Sequence, residues 1–171
     1  MLGLMISAAH CFGQDVKRLA VEPNHSTIEF AIGISNGLTR VTGKFMEFEI
    51  NLNLVDSMLT KSNLEAVIKT TSITTGIPDR DEHLRSADFF DVTHFPEIKF
   101  VSSQIRKTEN GFEVLGTLTM HGAEKEVALP LHVNGVGGRN TIGFSSRFSI
   151  KRSDFQLGTS WAHSSDANFL S

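Results

Sequence analysis

An all-β fold, an antiparallel sandwich or barrel carrying one short helical insert, is the class this sequence predicts. Three observations lead there. Apolar and polar residues alternate with a period of two over several short segments. The tight-turn signals Asn36-Gly37, Glu109-Asn110-Gly111 and His121-Gly122 separate those segments. One run, Thr74 to Asp91, carries helix signals instead, with Pro78 near its start, Asp79, Asp81 and Glu82 in the first turn and Arg85 near its end.

From Ser26 the alternation places Ile28, Phe30, Ile32 and Ile34 on one face of a strand and Thr27, Glu29, Ala31 and Gly33 on the other. Arg40 to Leu54 is expected to be extended as well. Phe45 and Phe48 are out of phase there, which predicts a bulge or a change of face near Met46. A polar turn around Asp56 to Asn63 leads into a strand over Leu64 to Ile73, with Leu64, Ala66 and Ile68 on one face. Beyond the helical insert, strands are expected over Glu97 to Ile105, Gly111 to Met120, Lys125 to Val133 and Thr141 to Lys151. Glycines fall where the turns need them. Periodicity alone does not separate a barrel enclosing a lumen from a sandwich whose inner faces fill each other.

The chain has 171 residues, enough for one domain with a substantial core, and nothing in it demands two. Sixteen Lys and Arg against 19 Asp and Glu leave no basic footprint, so nucleic acid is not the expected partner. Thirteen Phe, no Tyr and a lone Trp161 make the aromatic set almost entirely non-polar, suited to dry surfaces.

Residues 1–13 open on the apolar Met1-Leu2-Gly3-Leu4-Met5-Ile6, with the length of a secretion signal rather than of a membrane span. No basic residue precedes this stretch, so the leader is expected to be incomplete. Small residues at Cys11 and Gly13 suit cleavage before Gln14, whereas lipidation of Cys11 is disfavoured by the bulky His10 before it. After such cleavage residues 14–171 hold no cysteine, hence no disulfide or thiol chemistry. No other stretch is long and apolar enough for a membrane span.

Four segments together resemble the YceI-like family of lipid-binding proteins. They are Asn24-His25-Ser26-Thr27-Ile28-Glu29-Phe30, Val41-Thr42-Gly43-Lys44-Phe45, the run from Thr75 to Phe100 and Gly116-Thr117-Leu118-Thr119-Met120-His121-Gly122. The likeness runs from about Leu19 to Leu157, and its central block, Asp79-Arg80-Asp81, His83-Leu84-Arg85-Ser86, Asp88-Phe89 and Phe95-Pro96, is the most specific part. The resemblance implies an extended, lipocalin-like antiparallel β-barrel of about eight strands with a helical insert. It also implies a periplasmic or secreted location and a lumen holding a long isoprenoid chain, as in polyisoprenoids or isoprenoid quinones. Two departures stand out. Arg152, Phe155 and Leu157 match the family, but Gln156 replaces its Gly. After Gly158 and Trp161 the family continues into a closing strand, whereas this chain stops at Leu170-Ser171; a truncated sequence is the favoured explanation, and a complete one would leave an unpaired edge that invites a homodimer or instability.

A prenyl chain offers almost no hydrogen bonding, so its site must be lined by large apolar side chains, with burial at roughly 25 cal/mol per Å² supplying the affinity. The candidate lining is Phe30, Ile32, Phe45, Ile68, Leu84, Phe89, Phe90, Phe100, Leu118, Phe144 and Phe148. Any one of these could equally be plain core. The cluster Asp79, Asp81, Glu82 and His83, followed by Asp91 and His94, invites an acid–base or metal reading, but such a site needs its groups to converge in a water-poor pocket. The favoured role is structural: capping the helix and bridging Arg80 and Arg85 on a solvated face. His25, His121, His132 and His163 lack metal-ligand spacing, and no nucleophile elbow or phosphate-binding loop is present. No catalytic residue, metal or cofactor beyond the bound lipid is expected. The expected function is an exported, non-enzymatic carrier of an isoprenoid-type amphiphile, for sequestration or transport. Against it stand an interaction protein with a self-filled barrel and an enzyme using Asp79, Asp81 or His83 on a lipophilic substrate. Exposed apolar residues around the insert would mark the lumen's mouth there.

Overall fold

Long strands that alternate inward and outward residues, bent rather than broken at their middles, build this molecule. The structure is a computed structural model describing residues 15–34, 38–138 and 141–158. The strands are β1 (Val16–Ala20), β2 (Ile28–Ile34), β3 (Thr39–Phe45), β4 (Phe48–Val55), β5 (Met58–Lys69) and β6 (Ile73–Thr74), followed by helix α1 (Pro78–Arg85). After the helix come β7 (Glu97–Thr108), β8 (Gly111–Met120), β9 (Ala123–Gly137) and β10 (Thr141–Ser145). Seven strands form one sheet in the order β1-β4-β5-β7-β8-β9-β10, and three form another in the order β2-β3-β6. Every pairing is antiparallel, and together the strands make a nearly closed, barrel-shaped sheet.

The two sheets share their strands' courses. β3 runs into β4 through Met46 and Glu47 only, while β5 runs into β6 through a 3-10 turn at Thr70–Ser72. At this corner the Met46 amide donates to Ser72 and the Lys69 amide to Glu47, so the ladder turns without losing its backbone bonds. The phase change between Phe45 and Phe48 is therefore a corner between two strands, not a bulge within one. Likewise the polar turn before the next strand shrinks to Asp56 and Ser57, both at positive φ, as a two-residue hairpin requires. Ser62, expected in that turn, is buried in β5, where its hydroxyl donates to the Met58 carbonyl and accepts from the Val55 amide. β10 ends at Ser145 rather than Lys151; residues 146–150 belong to no strand, and Lys151 makes an isolated bridge. β1 has no counterpart in the sequence reading. The first 14 residues, Asn36-Gly37, Trp161, His163 and the chain end lie outside the described residues, and the expectations about them with it.

The inward faces meet in one apolar cluster. β8 shows the pattern clearly: Val114, Leu118 and Met120 are buried, every second residue, with Gly116 between them. α1 and the turns after it lie at the corner, with Leu84 and Phe90 buried and the Phe90 ring packed edge-on to Phe45 at 5.8 Å. Another 3-10 turn, Arg152–Phe155, carries the largest fully buried side chain, Phe155, at 1% exposure, followed by Leu157 at 2%. The Phe155 carbonyl lies 3.1 Å from His121 Nδ1, and since a carbonyl only accepts, Nδ1 bears the proton.

Gln156, which ends this turn, sits in the left-handed region at φ 57. A Cβ there costs on the order of 1 kcal/mol, which explains why the resembling family has Gly at the position. Gln156→Gly is expected to raise unfolding stability by about 1 kcal/mol, read from urea denaturation at unchanged m-value. No gain would mean that contacts of the Gln side chain offset the backbone strain.

Candidate ligand-binding site

The expected apolar lining comes from distant parts of the chain. β2 supplies Phe30 and Ile32, β3 Phe45, β5 Ile68, α1 Leu84, the following turns Phe89 and Phe90, β7 Phe100, β8 Leu118 and β10 Phe144. All ten join one continuous cluster: Phe30, Phe45, Leu84, Phe90, Phe100 and Leu118 are buried, and Ile32, Ile68, Phe89 and Phe144 pack against them half-buried. Phe148 is half-buried on the segment after β10. The Phe30 and Phe45 rings are 5.8 Å apart, and Phe45 in turn meets Phe90, so an aromatic row runs from β2 to the insert. Ile98, Ile105, Val114, Met120, Phe155 and Leu157 are buried in the same cluster and were not part of the candidate lining. Period-two alternation points to the strand residues among them; nothing local marks Phe155 and Leu157, which are buried by a turn.

The acidic insert does not converge on this interior as a reactive group. Asp81 is buried, at 6% exposure, contrary to the solvated face expected for it. Its Oδ2 accepts from the Thr74 hydroxyl at 2.8 Å, and its Oδ1 from the Thr75 amide at 2.7 Å and the Thr75 hydroxyl at 2.5 Å. Burial pushes its pKa up, but these bonds and the Arg85 charge outweigh that and hold the carboxyl below its ordinary value. The two arginines do not bridge acids in this insert: Arg80 donates to Thr75, and Arg85 to the carbonyls of Thr71 and Ile73. Asp79 and Glu82 are exposed, His83 faces Asp88 at 3.3 Å and His94 faces Asp91 at 2.9 Å. The hydrogen bonds of Asp81, Arg80 and Arg85 all pin α1 to the end of β6 and the turn before it. Among the described residues no three His, Cys, Asp or Glu side chains gather as a metal site would need.

A surface cleft of about 570 Å³ lies against the same wall. β2 and β3 supply Glu29, Phe30, Ala31, Arg40, Thr42, Gly43 and Lys44; Thr74, Thr75, Gly76 and Arg147 complete it. Gly43 is required where it is: a Cβ there would fall 2.4 Å from the Phe30 ring and 2.8 Å from the Thr74 carbonyl oxygen. The outer edge of the ring thus lies against the glycine.

A family model for the YceI-like domain matches residues 19–169. The UPF0312 protein of Yersinia pestis (strain Pestoides F) is 32% identical over 160 residues, covering 91% of this chain and 82% of that protein. BcnA of Burkholderia cenocepacia superposes with a TM-score of 0.78 at 23% identity, covering 88% of this chain and 95% of that one. A polyisoprenoid binding domain from Saccharophagus degradans superposes with a TM-score of 0.65 at 16% identity, covering 91% of this chain and 97% of that one. On the match across nearly its whole length, this chain belongs to the YceI-like domain family.

Proposed function

We propose that this chain is an exported, non-enzymatic binding protein whose interior holds a long-chain isoprenoid or similar amphiphilic lipid, for sequestration or transport. The observation that carries the reading is the single apolar interior to which β2, β3, β5, β7, β8, β10 and the insert each contribute a Phe, Ile or Leu. Such a surface suits a ligand with no hydrogen-bonding capacity. Family membership and the likeness to a polyisoprenoid binding domain support the same ligand class. Non-enzymatic action is favoured because Asp81, the buried carboxylate, is occupied in pinning α1. The apolar start of the chain supports export, to the periplasm or beyond.

Native mass spectrometry with organic extraction tests this reading. The purified chain is expected to carry one prenyl-type lipid. Phe144→Asp, on the half-buried edge strand β10, is expected to keep the fold and lower lipid occupancy about tenfold or more, because a carboxylate in an apolar site must be desolvated or protonated. Full occupancy in the folded variant would contradict the site. A second reading, a barrel filled by its own side chains and acting through its surface, is favoured by the burial of Phe30, Phe45, Phe90, Phe100 and Leu118 against protein alone. Lipid-free protein from every source would select it.

A further inference from the structure

The outer face of β2 and β3 carries a charge balance unlike that of the rest of the chain. Arg40, Thr42 and Lys44 are exposed and alternate with the inward Val41, Gly43 and Phe45, so both cations leave the sheet on the side away from the apolar interior. Arg147, also exposed, lines the same surface cleft from the segment beyond β10, and Glu29 is the cleft's one carboxylate. The chain as a whole has a formal net charge of −3, so this local excess of cations runs against the composition. Among the described residues none of the three cations makes an ion pair, whereas Lys61, Lys69, Lys99 and Arg106 all do. The strand register shows why. Opposite Arg40 stands Gly33, which has no side chain to offer; opposite Lys44 stands Glu29, whose carboxylate takes the Thr27 hydroxyl at 3.4 Å instead. Exposed cations held near one another repel, and an anionic surface laid across them removes that repulsion.

The same face is apolar at its ends. Leu38 lies two residues before Arg40 and Met46 two residues after Lys44, in step with the outward side chains of β3, and they are 83% and 59% exposed. On the cleft's rim Ile77, 49% exposed, follows Gly76 directly. Extended chain sets Leu38 and Met46 about 26 Å apart, so these aliphatic side chains do not form the contiguous patch that one protein partner would cover. A fluid bilayer surface takes such side chains singly, between headgroups, while its anionic headgroups meet the cations that separate them.

We propose that this outer face docks the protein on an anionic bilayer surface, with Arg40, Lys44 and Arg147 at the level of the lipid phosphates and Leu38 and Met46 dipping between headgroups. The assignment rests on the outer surface alone and stands whatever the interior holds. Arg40 and Arg147 present forked donors that match phosphate oxygens, and Lys44 adds a point charge.

Co-sedimentation with two kinds of vesicle tests this: phosphatidylcholine alone, and phosphatidylcholine with phosphatidylglycerol in equal parts. Neither carries a prenyl lipid, so the result leaves the lipid-holding reading untouched. At low ionic strength the wild type is expected to bind the anionic vesicles roughly tenfold or more above the neutral ones, and to be released as salt is raised. The triple variant Arg40→Gln, Lys44→Gln, Arg147→Gln, with folding checked by circular dichroism, is expected to lose roughly tenfold to a hundredfold of that binding. A control triple variant, Lys61→Gln, Lys99→Gln, Arg106→Gln, removes the same charge from cations already paired at the surface and is expected to stay within about threefold of wild type. Leu38→Ser together with Met46→Ser is expected to weaken binding roughly threefold or more while leaving its salt dependence unchanged. No binding to the anionic vesicles overturns the proposal and leaves the face to a soluble acidic partner. Equal binding to both vesicle types overturns it too, as does an equal loss in the two triple variants, which would make net charge alone the cause. Unchanged binding by the serine double variant overturns the role given to Leu38 and Met46.

Discussion

Gly116→Val is expected to cost about 3 kcal/mol or more of unfolding stability, because the new side chain meets backbone rather than open space. A Cβ at Gly116 would fall 2.3 Å from the Val101 carbonyl oxygen, 2.7 Å from the Phe100 ring and 2.8 Å from Ser102 Cα. The ladder between β7 and β8 shifts register between Ser102 and Gln104, at this level of the sheet, and Phe100 lies over the glycine there. Neither the bulge nor the ring can yield without opening the ladder. Gly135, with nothing within 4 Å of its Cβ position, provides the contrast: Gly135→Ala is expected to stay within about 0.5 kcal/mol of wild type. Urea denaturation of the pair measures both. Equal costs would mean that strand entropy, not close approach, sets the penalty.

Asp81→Ala is expected to cost about 2–4 kcal/mol, since it strands the Thr74 and Thr75 donors that pin α1 to β6. The pH dependence carries a definite sign. The folded pKa of Asp81 lies below its ordinary value of 3.8, so its ionised form contributes fully at neutral pH. That contribution shrinks as the pH drops below the ordinary value and is gone below the folded one. Asp81→Asn is therefore expected to lower stability at pH 7 while flattening the acid limb of the stability curve. An acid limb unchanged in Asp81→Asn would place the titration elsewhere.

Much of this fold is legible in the chain. The alternation from Ile28 to Ile32 reads directly as β2, Gly111 to Met120 is β8 to the residue, and the helix signals around Pro78 and Arg85 bound α1. What escapes reading is what depends on distant partners. β1, Val16–Ala20, is five residues with Lys17 and Arg18 at its centre, and it is a strand because β4 offers it an edge. The change of phase at Met46 is visible in sequence, but that it marks a corner between sheets follows only from Ser72 and Glu47 closing it. Asp81 reads as one acid among five in the insert; its burial comes with Thr74, at the end of β6, and Thr75, just after it, which donate to its carboxylate. The candidate lining is legible as apolar positions, and the resemblance supplies the idea of a shared interior. The cleft cations at 40, 44 and 147 are not legible together, because the third lies a hundred residues from the others in sequence.

The most direct measurement on the central claim is an isotope-filtered NOE spectrum of the labelled protein with unlabelled geranylgeraniol. The expected result is cross-peaks from the prenyl chain to the inward side chains Phe30, Phe100, Leu118 and Phe144, which share the apolar cluster. Cross-peaks confined to outward apolar residues such as Met46 and Val101, with none from the interior, would contradict it.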